Sequence, residues 1–152
     1  QAQQRFAVAS NIKFLPNWDL GLSYSNVQYI PGVNSSFRDT AIFNTAGIVL
    51  HWRPIPTVDV AGGYSYTRAT HANGITASEQ YQQFNLAQFY YISKRTEFYA
   101  LEVYQRANGN TLGSNGAGNI IKATPTIGDG LNGSPSSSRS QVAIGVGVAH
   151  RF

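Results

Sequence analysis

The side chains of this 152-residue chain best suited to acid–base chemistry or metal ligation near neutral pH are three histidines, His51, His71 and His150. Each would need a second ligand, or a serine and a carboxylate, at a fixed spacing. His51 stands in an alternating apolar run, His71 in the polar stretch "ATHANGITAS", and His150 beside the C-terminus, and none has a partner at metal-ligand or triad spacing. Cysteine is absent, which removes disulfides, thiolate nucleophiles and Cys-based metal sites. The serines gather in connecting segments with no histidine pattern nearby. "GSNGAGN" (113–119) contains a G-x-G, but no strand leads into it and no helix follows, so it reads as a loop rather than a phosphate cradle. The triplets "NSS" (34–36) and "NGS" (132–134) read as chance matches to a glycosylation acceptor. The residues point away from an enzyme and call for no cofactor or metal ion.

Composition narrows the classes further. Charged residues make up 12%, about half the usual share of a soluble protein, while aromatics reach 12% and glycine numbers 15. The net charge of +4 would suit an anionic partner, yet the basic residues are scattered singly apart from Lys94–Arg95. No basic stripe marks a nucleic-acid site, and no nucleic-acid partner is expected. No apolar run reaches the roughly 18 residues of a transmembrane helix, and no signal peptide is legible. With no Met and a start at Gln1, the chain reads as a processed or partial piece of one domain spanning 1–152.

The elements that must position any site are strands. Period-2 alternation recurs in segments of about 10–13 residues and predicts seven strands and no helix. The first, 3–14, sets Phe6, Val8, Ile12 and Phe14 on one face; the second, 18–29, sets Trp18, Leu20, Leu22 and Tyr24 there. The third, 40–52, carries Ile42, Ala46, Ile48, Leu50 and Trp52, and the fourth, 58–68, alternates Val58, Val60, Gly62, Tyr64 and Tyr66 with Asp59, Ala61, Gly63, Ser65 and Thr67. The fifth, 80–92, places Phe84, Leu86, Tyr90 and Ile92 together. The sixth, 97–106, reads as Tyr99, Leu101 and Val103 outward against Ala100, Glu102, Tyr104 and Arg106. The last, "QVAIGVGVAHRF", sets Val142, Ile144, Val146 and Val148 against Ala143, Gly145, Gly147 and Ala149.

Connections alternate in length. "FLPN", "RPIPT" and "SKRT" are tight, whereas the other three are longer, and the Gly/Ser/Asn-rich stretch 107–140 predicts one long external loop. Short turns on one side and long loops on the other are the habit of outer-membrane β-barrels. Strands of about 12 residues, tilted about 45°, rise roughly 28 Å, near the height of the apolar band. With the tight turns on one side, Phe14, Trp18, Trp52, Tyr90, Tyr99 and Phe152 fall at that end, while Phe6, Tyr24, Tyr64, Tyr66 and Phe84 fall toward the other. Such sorting predicts two aromatic girdles at membrane interfaces.

"VGVAHRF", "YYISKRTEFYALEVYQRANG" and "VDVAGGYSYTR" together resemble the C-terminal part of general trimeric porins of β-proteobacterial outer membranes, over essentially the whole chain. The resemblance implies an all-β, transmembrane antiparallel barrel of sixteen strands, of which these would be the last seven. It implies a homotrimer in the bacterial outer membrane, contacts with lipid and lipopolysaccharide, and recognition of Phe152 by the barrel-assembly machinery. Seven strands alone would leave two unpaired edges in lipid, so the remaining strands of the same barrel are an expected partner.

Strand parity then assigns Arg5, Lys13, Asp19, Asp59, Glu102 and Arg106 to the pore wall, with Arg53 and Arg151 at the rim of the tight-turn end. Basic exceeds acidic in this set, predicting a weak anion preference. The expected function is a water-filled channel for passive diffusion of small hydrophilic solutes and ions. Two alternatives are a substrate-selective channel, for which inward Phe89, Tyr91 and Tyr104 would form an aromatic track, and a non-conducting barrel serving as adhesin or anchor.

Overall fold

The computed structural model describes residues 1–128 and 133–152. Residues 129–132, which include part of the predicted long loop and Asn132 of the "NGS" triplet, lie outside the described residues. The chain is all-β, with no helix among the described residues. Seven long strands form one antiparallel sheet: β1 (Ala2–Leu15), β2 (Trp18–Ile30), β3 (Ala41–Ile55), β4 (Val58–Ala69), β5 (Gln80–Tyr91), β6 (Thr96–Asn108) and β9 (Ser140–His150). Each pairs with its neighbour in sequence order, and β1 and β9 are the open edges. A short hairpin, β7 (Asn110–Leu112) with β8 (Ile120–Lys122), stands inside the stretch expected to be loop.

The tight turns fall where the prolines predict, but later than the sequence suggests at one point. Strand β3 continues through Arg53 and Pro54 to Ile55, leaving only Pro56 and Thr57 to turn. Register shifts between Trp52 and Ile55, and between Lys13 and Leu15, absorb the odd residue next to each two-residue turn. At the third turn the Ser93 hydroxyl accepts from the backbone N–H groups of Arg95 (3.2 Å) and Thr96 (3.1 Å), which closes "SKRT".

The registers have a simple consequence. Away from the tight turns, even-numbered residues pair only with even-numbered residues, from β1 through β9. Directly opposed residues share a face, so one face of the whole sheet is even and the other odd. The even face carries Phe6, Val8, Ile12, Leu22, Ile48, Leu50, Phe84, Leu86 and Val142 to Val148, all of them exposed. Ile144 and Val146, on the edge strand, are 71% and 76% exposed.

This overturns part of the assignment made from sequence. Glu102 pairs with Leu86 and Ile144, and Arg106 with Gln82 and Ser140, so both sit on the even, apolar face rather than with Arg5, Lys13, Asp19 and Asp59. Tyr104 also joins the even face, its ring 6.5 Å from that of Phe84. Tyr99 moves to the odd face, where it pairs with Phe89 and Gly147, and Phe98 takes its expected place beside Tyr90. The physical reason is that β6 carries bulky residues on both faces, so alternation within the strand does not decide its orientation; pairing with β5 and β9 does.

The other expected girdle residues lie on the even face. Phe14, Trp18 and Trp52 form a row at the tight-turn end, with ring centroids 6.4 Å and 5.3 Å apart. Phe152 follows β9, its ring edge-on to His150 at 4.9 Å. Tyr24, Tyr64, Tyr66 and Phe84 stand from mid-strand toward the long connections, and Phe6 stands nearer that end of β1. The Tyr64 and Phe84 centroids are 4.7 Å apart.

The sheet itself encloses no core. Buried residues gather instead where the long connections meet the strand ends: Ala69, Asn73, Ile75, Ser78, Glu79, Ala107, Ala123 and Pro125. Backbone hydrogen bonds tie these connections together, Ala117 N–H to Ser36 O at 2.6 Å and Asn110 N–H to Ala77 O at 2.8 Å. Asn73, at φ 54°, closes the lock: its Oδ1 accepts from the N–H groups of Arg38 and Asp39, both at 2.7 Å, and its own N–H donates to Asp39 Oδ2 at 2.8 Å.

Candidate functional site

The odd face carries mostly small and polar side chains, and its polar groups form two constellations. Near the tight turns, a charged row crosses β1 to β4. Lys13 is paired with Asp19, and Asp19 with His51. His51 Nδ1 stands 3.3 Å from Asp19 Oδ2, and its Nε2 meets Asp59 Oδ1. Arg53 Nε lies 3.4 Å from the second Asp59 oxygen. A neutral imidazole has one N–H to donate, so it serves one carboxylate at a time; a ring with both hydrogens donates to both. The arrangement is a field of alternating charge, and among the described residues no group of three His, Cys, Asp or Glu side chains is placed to hold a metal ion.

Sequence reasoning left His51 without a partner because its carboxylates lie 32 and 8 residues away along the chain, at spacings no local motif encodes. The signal that finds them is parity: Asp19, His51 and Asp59 are all odd positions of adjacent strands.

At the other end, side-chain amides are linked along β5 and across to β6. Gln83 Nε2 donates to Asn85 Oδ1, and Gln105 Nε2 to Gln83 Oε1, each at 2.9 Å. The same Gln105 accepts the Thr126 N–H at 2.9 Å, and Gln141 accepts the Ile127 N–H at 2.8 Å. Because Gln105 and Gln141 are odd-face residues, segment 123–127 lies against the odd face of β6 and β9. Pro125, within this segment, is fully buried. The expected external loop therefore folds partly back over the polar face.

Of the six residues assigned to the wall, the sheet brings Lys13, Asp19 and Asp59 together with His51. Arg5 stands apart on the same face opposite Val27, and Glu102 and Arg106 are on the other face. Glu102 is hydrogen-bonded there by Gln88 at 3.2 Å. Glu97, overlooked in the sequence, joins the odd face and lies 3.7 Å from Arg151. The odd face thus sets Arg5, Lys13, Arg53 and Arg151, with Arg95 in register with Arg151 and Arg139 in register with Ala107, against Asp19, Asp59, Glu97 and Glu79, the last in register with Ala69 just before β5. Basic residues still outnumber acidic ones on this face. Phe89, Tyr91 and Tyr99 form an aromatic group on this face, with Tyr99 standing where Tyr104 was expected.

No family model matches this chain, and no curated protein matches it.

Proposed function

We propose that this chain is part of a porin-like outer-membrane β-barrel that passes small hydrophilic solutes and ions by diffusion. The observation that carries the reading is the separation of faces: across the seven-stranded sheet most of the large exposed apolar side chains stand at even positions, while most odd positions are small or polar. Water penalises an uncovered apolar face of this size, whereas lipid accepts it and leaves the odd face to a wet interior. Strands of 11–15 residues suit the bilayer, and tight turns at one end with long connections at the other repeat the outer-membrane pattern. Among the described residues no helix is long and apolar enough to cross a membrane.

In this reading β1 and β9 pair with further strands of the same barrel, since unpaired edges do not persist in hydrocarbon. The even face meets lipid or neighbouring subunits of a homotrimer, the long connections face lipopolysaccharide, and Phe152 serves assembly. The wall segment formed by this chain keeps a small basic excess, which favours anions weakly.

The test is planar-bilayer recording of the detergent-purified protein under a KCl gradient. Stepwise conductance with a reversal potential of weakly anion-selective sign is expected. Well-folded protein that inserts without conducting would favour an anchor or adhesin. The odd-face group Phe89, Tyr91 and Tyr99 favours one further reading, a channel selective for solutes with an apolar or sugar face; saturable block of the current by such a solute would distinguish it.

A further inference from the structure

A hollow on the odd face joins the ends of β2 to β5 to the long connections, and it encloses about 230 Å³. Its origin is a size step along one cross-strand row. Phe43 pairs with Ala69, and Ala69 donates its N–H to the Glu79 carbonyl at 3.0 Å, so Phe43, Ala69 and Glu79 stand side by side. The small Ala69, 5% exposed, forms the floor between an aromatic ring and a carboxylate. Tyr29 meets Phe43 edge-on with centroids 5.9 Å apart, and Phe37 completes an aromatic wall.

Glu79 is the unusual member. It is 5% exposed, and Thr111 Oγ1 donates to its Oε1 at 3.2 Å. Among the described residues, no lysine, arginine or histidine forms an ion pair with it. A buried carboxylate without a cation is costly, and a cation placed in the hollow would remove that cost. The wall opposite consists of aromatic rings, which attract cations through their faces and offer nothing to an anion. The volume lies below the roughly 300–1,000 Å³ of sites for drug-sized ligands, so the occupant is small.

We infer that this hollow binds a small organic ammonium ion, with Glu79 neutralising the charge and Tyr29, Phe37 and Phe43 enclosing its alkyl groups. The inference stands on the hollow itself and holds whether or not the barrel conducts.

Isothermal titration calorimetry of the detergent-purified whole barrel that contains this chain, with choline chloride at constant ionic strength, tests it. Saturable one-site binding is expected, with at least about tenfold weaker binding of 3,3-dimethyl-1-butanol, the uncharged carbon isostere. Glu79→Gln should weaken choline by about tenfold or more. Ala69→Leu, which fills the floor and leaves the carboxylate, should abolish binding. Circular dichroism and heat-modified gel mobility establish that each variant is folded. Equal binding of choline and its neutral isostere, unchanged binding in folded Glu79→Gln, or no saturable binding by the native chain would overturn the inference. Because the isostere comparison uses the native chain, it stands even if a variant misfolds.

Discussion

The Tyr99 ring on β6 lies over the backbone of Gly147, its partner on β9. A Cβ built on that glycine would stand 2.9 Å from Tyr99 Cε1 and closer still to the hydroxyl. The ring occupies the space that a side chain would take, so glycine at 147 is required by its neighbour and not by its own backbone angles. Gly145, one odd position away, has open space around the corresponding point.

Gly147→Ala should therefore destabilise the protein by about 1–3 kcal/mol through overpacking, while Gly145→Ala should be near neutral. Replacing Tyr99 with Ala in the Gly147→Ala background should recover most of the loss. A double-mutant cycle by urea unfolding in phospholipid vesicles measures the coupling, and additive effects would show that the ring does not constrain Gly147.

Face parity predicts a sharp asymmetry for arginine substitutions. Ile48, on the even face between Leu22 and Tyr64, should cost about 2–4 kcal/mol when changed to Arg in a bilayer. Ala87, on the odd face between Ala61 and Leu101, should tolerate Arg at a cost of less than about 1 kcal/mol. The same vesicle assay reads both, and equal costs would contradict a lipid-facing even side.

His51 holds Asp19 and Asp59 side by side. Removing its donors with His51→Leu leaves two half-buried carboxylates facing each other and should cost about 1–3 kcal/mol. His51→Gln keeps an amide donor and should lose less. Unfolding midpoints in detergent rank the two variants, and the reverse order would show that the ring acts by packing alone.

The Asp39–Asn73 lock joins two of the long connections. Asn73→Ala removes the three bonds made by the side-chain amide, keeps the backbone N–H bond to Asp39, and places alanine at a positive φ, so the connection containing Arg38 should open. Trypsin cleavage after Arg38 should accelerate by at least about tenfold, each lost hydrogen bond being worth about 1 kcal/mol. Cleavage at the native rate would place the lock elsewhere.

Much of the architecture is legible before any coordinates. Alternation, proline-marked tight turns and the clustering of aromatics near those turns are local properties, so the all-β character, seven long strands and most strand limits follow from the chain read linearly. Five of the seven strands separate bulky apolar from small or polar side chains cleanly enough that their outward faces can be read from one strand alone.

Strand β6 shows where that reading stops. Phe98 and Tyr104 on one face compete with Tyr99, Leu101 and Val103 on the other, and only hydrogen-bonded register with β5 and β9 assigns Glu102 to the apolar side. The His51 cluster, the Gln105–Thr126 contact and the hollow beside Glu79 were likewise invisible in the sequence. Each joins residues from different strands or connections, at separations that no motif specifies. Periodicity along a strand is fixed by local backbone geometry and is written in the chain; which side chains meet across strands depends on register and on how the connections fold back, and only the tertiary structure decides that.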